Sequence, residues 1–161
     1  MIYLKIFLAI LLFLGLNITK TDSAPSNQKF LKKVNAGYQE LNQGELTTAT
    51  HIFEALIATY PEKYEPHLGL AKVYLENNDY PLAQKELITT LKDNPKCSEA
   101  VYDLANIYES NQEWQKAINE FQIYLNLEPE KSKEKYIALR IKYLKDNLTK
   151  ANQEKNNWKI I

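Results

Sequence analysis

The chain has 161 residues, and its 20 Lys and Arg residues balance its 20 Asp and Glu residues, so the formal net charge is zero. This balance disfavours non-specific binding to nucleic acid, and 45% hydrophobic with 25% charged residues is typical of a folded protein rather than a disordered one. The single cysteine excludes an intramolecular disulfide and a multi-cysteine metal site, and four glycines leave little material for phosphate-binding loops.

The first predicted element is an export signal over residues 1–23. A single basic residue, Lys5, precedes an apolar run that extends from Ile6 to Leu16, and this arrangement is typical of a secretory signal peptide. The alternative is an uncleaved membrane anchor through residues 1–18, although a spanning helix needs about 20 apolar residues. We therefore expect an exported protein that is periplasmic, secreted or part of the cell envelope. Residues 24–29 are predicted to be a linker.

From residue 30 to residue 130 the chain repeats every 34 residues. The period appears in prolines, in small residues and in large apolar residues. Internal periods of this length indicate a solenoid, in which each unit buries one face against its neighbours. The columns in register are Ala36/Leu70/Leu104, Gly37/Ala71/Ala105, Leu46/Tyr80/Trp114, Ala49/Ala83/Ala117, Phe53/Leu87/Phe121 and Pro61/Pro95/Pro129.

Each unit is predicted to be a hairpin of two helices. Apolar positions recur at helical spacing in two runs, and the small residues allow the two backbones to approach closely. The proline of each unit ends the second helix, because its ring cannot continue the hydrogen-bond ladder. Polar breaks that favour turns separate the two runs; they are Asn42-Gln43-Gly44, Asn77-Asn78-Asp79 and Ser110-Asn111-Gln112.

The columns resemble the tetratricopeptide repeat (TPR) family. The family's Trp-Leu-Gly-Tyr-Ala-Phe-Ala-Pro positions correspond to His67, Leu70, Ala71, Tyr74, Ala83, Leu87, Thr90 and Pro95 in the second unit, and to Val101, Leu104, Ala105, Tyr108, Ala117, Phe121, Tyr124 and Pro129 in the third. The first unit departs from the pattern with Lys33 and Glu40 at the Trp and Tyr positions. The resemblance implies an all-α, right-handed solenoid of three repeats, 30–63, 64–97 and 98–130.

The segment 131–151 is predicted to be a helix that caps the solenoid. Its apolar residues Ile137, Ile141, Leu144 and Leu148 form one stripe. Residues 152–161 are predicted to be a tail whose polar part, 152–157, frays, and whose apolar end from Trp158 either folds back or contacts a partner. Residues 24–130 carry 9 basic and 16 acidic residues, whereas residues 131–161 carry 9 and 3. The basic tail is therefore attracted either to the acidic repeats or to an acidic partner, such as an anionic lipid surface or nucleic acid. An exported protein seldom meets nucleic acid, so we do not expect nucleic acid as the partner.

Nothing in the sequence indicates catalysis, a cofactor or a metal. The two histidines are interpreted as a packing residue, His67, and a residue on an outer face, His51. A pair of Cys97 and His67 lacks a third group to orient it, and the metalloprotease, nucleophile-elbow and phosphate-loop motifs are absent. We therefore predict a protein that is not an enzyme.

The resemblance implies a concave groove that is lined by the first helix of each unit and binds a segment of another protein. The family's two-carboxylate clamp is absent, because its Lys and Asn positions correspond to Val34, Tyr38 and Gly69, and its Lys and Arg positions to Glu99 and Asp103. Tyrosines and carboxylates instead favour a partner with apolar and basic residues. The predicted groove residues are Val34, Tyr38, Leu68, Lys72, Tyr102, Asp103, Asn106, Tyr136 and Arg140.

The sequence thus predicts a non-catalytic scaffold or adaptor that binds an extended or helical protein segment. Two alternatives remain open. One is a self-associating structural protein, and the other is an accessory subunit of an envelope enzyme or a secretion complex.

Overall fold

The computed structural model describes residues 23–128 and 131–157, and within these ranges the structure is helical without strands. The helices are α1 (Ser23–Asn42), α2 (Leu46–Thr59), α3 (Tyr64–Glu76), α4 (Tyr80–Asp93), α5 (Ser98–Ser110), α6 (Trp114–Leu127) and α7 (Lys131–Asn157).

The chain divides into two compact units, 1–33 and 34–161. The described part of the first unit is the N-terminal part of α1. It includes the whole of the predicted linker, 24–29, which is helical. The second unit contains the rest of α1, the other helices and every feature of the candidate site.

The ends of the helices repeat with the 34-residue period of the sequence. The helices α2, α4 and α6 begin at Leu46, Tyr80 and Trp114 and end at Thr59, Asp93 and Leu127. The all-α solenoid fold predicted from the columns is therefore confirmed.

The turns between paired helices also repeat, in their backbone conformation. Gly44, Asn78 and Gln112 have φ angles of 80°, 59° and 60°, and they stand 34 residues apart. Glycine and asparagine tolerate this left-handed region, whereas glutamine adopts it at a cost. At the start of α4, the Asp79 side chain accepts a hydrogen bond from the Leu82 backbone N–H at 3.4 Å, and Pro81 lies in the first turn.

Small side chains lie at the contacts between helices, as the columns predict. Ala49, Ala83 and Ala117 are completely buried, and so are the large residues of the Phe53 column. A continuous apolar cluster extends from α3 to α7. Each hairpin therefore buries its inner face against the next hairpin, as expected of a solenoid.

Helix α7 packs against α6 and caps the solenoid, which confirms the predicted capping helix. Ile137, Ile141 and Leu144 are buried, and Leu148 packs against the same cluster at its edge. The sequence predicts that residues 152–157 fray. In the structure these residues are helical, and α7 continues to Asn157. Gln153, Glu154 and Lys155 are good helix formers, so the polar extension needs no apolar contact to stay helical.

Two predictions lie outside the described residues. They are the export signal, apart from its last residue Ser23, and the apolar end from Trp158 to Ile161. Within the described ranges, no helix is long and apolar enough to cross a membrane.

Candidate functional site

Two adjoining cavities lie along one side of the second unit. The larger, of about 580 Å³, is bounded by α3, α5, α6 and α7, and the smaller, of about 420 Å³, is bounded by α1, α3 and α5. Lys72 and Glu99 line both cavities. We call the larger one the α7 cavity, the smaller one the α1 cavity, and the two together the groove.

Lys72 lies where the two cavities meet and is held by two carboxylates of the next repeat. Its Nζ atom lies 2.7 Å from Glu99 Oε1 and 2.7 Å from Asp103 Oδ2. Since Glu99 and Asp103 are one turn apart on α5, the lysine joins α3 to α5 across the floor of the groove.

Burial acts differently on the two ends of this ion pair. For Lys72, burial alone lowers the pKa, but the hydrogen bonds to Asp103 and Glu99 outweigh it and the pKa is raised. Burial raises the pKa of Asp103 more than the neighbouring ammonium lowers it. Lys72 therefore stays charged, whereas Asp103 gains a proton at a higher pH than an exposed aspartate does.

The α1 cavity is bordered by Tyr38. Its ring packs edge-on against Phe53, with 5.3 Å between the ring centroids. Burial, helped by the charge of Glu99, raises the pKa of the Tyr38 phenol, so the hydroxyl is protonated and acts as a hydrogen-bond donor or acceptor. Nearby, the buried Glu65 Oε2 atom has no hydrogen-bond partner among the described residues.

The α7 cavity has an aromatic wall. The Tyr102 ring lies 5.1 Å from the Tyr124 ring and 6.0 Å from the Phe121 ring, so it is fixed by packing. Tyr136 on α7 is 58% exposed on the opposite side. This cavity therefore combines a rigid aromatic surface with an exposed tyrosine ring, whose hydroxyl accepts a hydrogen bond from Arg140 at 3.4 Å.

The lining of the groove is acidic. It contains the carboxylates of Glu76, Glu99, Asp103 and Glu128 and the ammonium groups of Lys72 and Lys133. Because Lys72 is already matched by two carboxylates, the field inside the groove attracts cations.

The predicted site residues fall into two groups. Tyr38, Lys72, Tyr102, Asp103 and Tyr136 line the cavities. The other four, Val34, Leu68, Asn106 and Arg140, line neither cavity.

Val34 and Leu68 are buried, with exposures of 5% and 7%, and therefore offer little surface to a ligand. Asn106, on α5, lines neither cavity. Arg140 Nε instead donates a hydrogen bond to Glu109 Oε2 at 2.6 Å, and its guanidinium lies 4.8 Å from the centre of the Phe121 ring. This residue fixes α7 to the preceding repeat.

Several lining residues were not predicted from the sequence. Tyr124 reaches the cavity from α6, an outer helix, whereas the same column holds the short Thr90 in the preceding unit. That difference in size is the sequence feature that could have indicated Tyr124 as a lining residue. Ser98 and Glu128 are joined by a 2.6 Å hydrogen bond that pairs residues 30 positions apart, and no local pattern indicates such a pair.

The remaining reactive side chains do not form a catalytic arrangement. His67 Nδ1 lies 2.7 Å from Glu86 Oε2 in a partly buried pair that joins α3 to α4. Burial raises the pKa of the Cys97 thiol, which keeps it in its less nucleophilic form. Within the described residues, no group of three or more His, Cys, Asp and Glu side chains is placed to hold a metal ion.

Comparison with known protein families identifies the chain. Residues 34–83 and 68–132 match the family described as "Tetratricopeptide repeat", and together these matches cover more than half of the sequence. The chain belongs to the tetratricopeptide repeat family. No curated protein matches it significantly.

Solved TPR structures share the fold at low sequence identity. The "First TPR of Spaghetti (RPAP3) bound to HSP90 peptide SRMEEVD" is 16% identical, covers 76% of this chain and 94% of that one, and has a TM-score of 0.67. The Yersinia enterocolitica type III secretion chaperone SycD, in complex with a peptide of the translocator YopD, is 16% identical. The match covers 77% of this chain and 95% of that one, with a TM-score of 0.64. The "TPR2B-domain:pHsp70-complex of yeast Sti1" is 14% identical. The match covers 74% of this chain and 98% of that one, also with a TM-score of 0.64.

Proposed function

We propose that this TPR protein is a non-catalytic scaffold whose groove binds a protein segment with apolar anchors and at least one Lys or Arg. The observation that carries the proposal is the pairing of an aromatic wall with an acidic lining. The fold is that of a protein-interaction scaffold, and related structures contain bound peptides.

The charge of the groove argues for a basic ligand rather than an acidic one. The peptide SRMEEVD in one related structure carries three acidic residues. In this chain Glu99 and Asp103 occupy the lining and satisfy Lys72, so an acidic segment meets like charge and finds no unmatched cation at the meeting point of the two cavities. A Lys or Arg of the partner instead gains Glu76 and Glu99 as acceptors.

The aromatic side chains supply the apolar part of the binding energy. Tyr136 is exposed and loses little conformational freedom when it contacts a ligand, because a tyrosine has only two side-chain torsions. The α7 cavity has the volume of a typical small-ligand site, which is enough for one or two large side chains of a peptide.

The proposal is tested with arrays of short peptides that vary in net charge and aromatic content. We expect peptides with a basic residue next to a Leu, Phe or Trp to bind, and Tyr136→Ser combined with Glu99→Gln to weaken binding by about tenfold or more. The matched control is Tyr143→Ser combined with Glu54→Gln. Tyr143 is also 58% exposed on α7 but lines neither cavity, and Glu54 is an exposed acid on α2.

Binding that prefers acidic peptides contradicts the proposal, and so does equal loss in the test and control variants. Detectable turnover of a substrate that depends on Cys97 is the result that rejects the non-enzymatic role.

We also propose that the scaffold acts outside the cytoplasm, because Lys5 and the apolar run after it resemble an export signal. Sequencing the N-terminus of the mature protein from separated envelope fractions tests this. A new N-terminus near Ala24 supports cleavage and release, and an intact Met1 in the membrane fraction supports an anchor. An intact Met1 in the cytoplasmic fraction contradicts export.

A further inference from the structure

Helix α7 carries a second apolar stripe, on a different face from the one that caps the solenoid. Tyr136, Leu139 and Tyr143 are 58%, 60% and 58% exposed. Their spacing of three and then four residues places them on one side of the helix, whereas Ile137, Ile141 and Leu144 on another side are buried. We call Tyr136, Leu139 and Tyr143 the outer stripe.

Basic residues border the outer stripe. Lys135 and Lys142 precede Tyr136 and Tyr143 by one position and are exposed at its edge, and Lys150 continues the line of the stripe seven residues after Tyr143. Two acidic residues, Asp146 and Glu154, also lie on this side. Across α7 as a whole, eight Lys and Arg residues face three Asp and Glu residues, which gives a net charge of +5.

We propose that the outer stripe and its lysines bind the surface of an anionic lipid bilayer, with α7 lying in the plane of the interface. A short row of apolar and aromatic side chains bordered by lysines is the pattern of helices that rest on membranes without crossing them. Tyrosine suits this position because its ring enters the apolar region while its hydroxyl stays among the head groups. Lysine side chains extend from the edge of such a stripe to the phosphates.

The area and charge of the stripe disfavour a second copy of the chain as the occupant. Three half-exposed side chains offer roughly 350 Å², whereas a stable protein interface needs about 800 Å² from each partner. If two copies of α7 packed together, two helices that each carry a net charge of +5 would repel one another. Packing of α7 on another copy's α1 sets it against a helix with Lys29, Lys32 and Lys33 and only one acid, Glu40.

The test uses the full chain and two kinds of vesicle, of phosphatidylcholine alone or of phosphatidylcholine mixed with phosphatidylglycerol. The measured quantity is the partition coefficient on anionic vesicles relative to neutral ones. A contribution from residues 1–18 is common to the wild type and to every α7 variant, so it cancels when their partition coefficients are compared. We expect clear preference for anionic vesicles, and we expect added salt to reduce it.

Two variant pairs locate the binding surface. Lys135→Gln with Lys142→Gln is expected to lower the anionic partition coefficient about 30-fold, whereas Lys92→Gln with Lys96→Gln, which removes two exposed lysines near the end of α4, leaves it unchanged. Leu139→Ser is expected to lower the anionic partition coefficient about tenfold. The matched control is Ile88→Ser, at a residue that is 48% exposed on α4, and it is expected to leave the coefficient unchanged.

Equal binding to neutral and anionic vesicles overturns the proposal, as does full binding by the Leu139→Ser variant. A dimer that Leu139→Ser dissociates, found together with no vesicle binding, overturns it in favour of self-association. Leu139, Lys135 and Lys142 line neither cavity, so these variants keep their affinity for peptides and the outcome is independent of the groove.

Discussion

The backbone of Gly69 lies directly against the ring of Phe53. A β-carbon built on Gly69 would lie 2.2 Å from Phe53 Cε1 and 2.4 Å from Phe53 Cζ, and one built on Gly37 would lie 2.7 Å from the same ring. Phe53 on α2 thus fills the space between α1 and α3. Gly69 corresponds to an Asn of the family's carboxylate clamp, so the packing of Phe53 leaves no room for that clamp.

Gly69→Ala is expected to destabilise the protein. The added methyl group has to displace a fully buried ring, which costs about 1–3 kcal/mol even though alanine favours the helix. The urea midpoint is the measurement. Combining Gly69→Ala with Phe53→Leu should recover part of the loss, because the smaller side chain vacates the contact. An unchanged midpoint for Gly69→Ala alone would show that the Phe53 ring leaves room for a methyl group at residue 69.

Gln112→Gly is expected to stabilise the third hairpin by about 0.5–1 kcal/mol, because glycine removes the cost of a left-handed backbone. The φ angle of Gln112 is 60°. Gln112→Ala is the control and should bring no gain, since alanine pays the same cost. Asn78→Gly should gain less, because asparagine already tolerates this conformation. Equal melting temperatures for the Gly and Ala variants at position 112 would contradict this account.

The helices were predictable from the sequence because their signals are local. The periods of alanine, proline and aromatic residues follow the helices and their ends. The turn conformation at Gln112 was not predictable from its side chain, since glutamine has no preference for the left-handed region. Only its position, 34 residues after Asn78 and 68 after Gly44, indicates it.

The candidate site was predictable in part. The repeat pattern places Lys72 and Asp103 on first helices, but it does not show that they form an ion pair. Leu68 and Val34 occupy first helices as well, yet their side chains turn into the core. A pattern of helices predicts which element lines a groove, whereas the direction of each side chain depends on how adjacent hairpins stack.

Binding of a basic peptide is expected to weaken as the pH falls. The weakening is expected to begin above pH 3.8, the ordinary pKa of an aspartate. Burial raises the pKa of Asp103, so this carboxylate gains a proton at a higher pH than an exposed aspartate does. Each proton bound removes one negative charge that attracts the ligand. Affinity measured by fluorescence anisotropy across this range checks the prediction. Asp103→Asn should bind more weakly at pH 7 and lose the early part of the fall. A wild-type profile that matches the variant's profile would exclude Asp103 as the cause.

Cys97 is expected to react slowly with a thiol reagent in the folded protein. Its thiol is half-buried, and burial raises its pKa more than the backbone N–H groups of Ala100 and Glu99 lower it. The fraction of thiolate near neutral pH is therefore smaller than in the unfolded chain. The rate with a disulfide reagent, compared with and without urea, measures this difference. Equal rates with and without urea would show that the thiol is open to solvent. The Cys97→Ser variant, which has no thiol, is the negative control.

The most direct test of the central claim is to locate a bound peptide on the protein. A photoreactive amino acid is placed at Tyr136 in one variant and at Ile88, on α4, in another, and each is irradiated with the same basic, Leu-containing peptide. We expect the Tyr136 variant to crosslink the peptide, an excess of unlabelled peptide to prevent it, and the Ile88 variant to give only background. Crosslinking from Ile88 with none from Tyr136 would contradict binding in the groove.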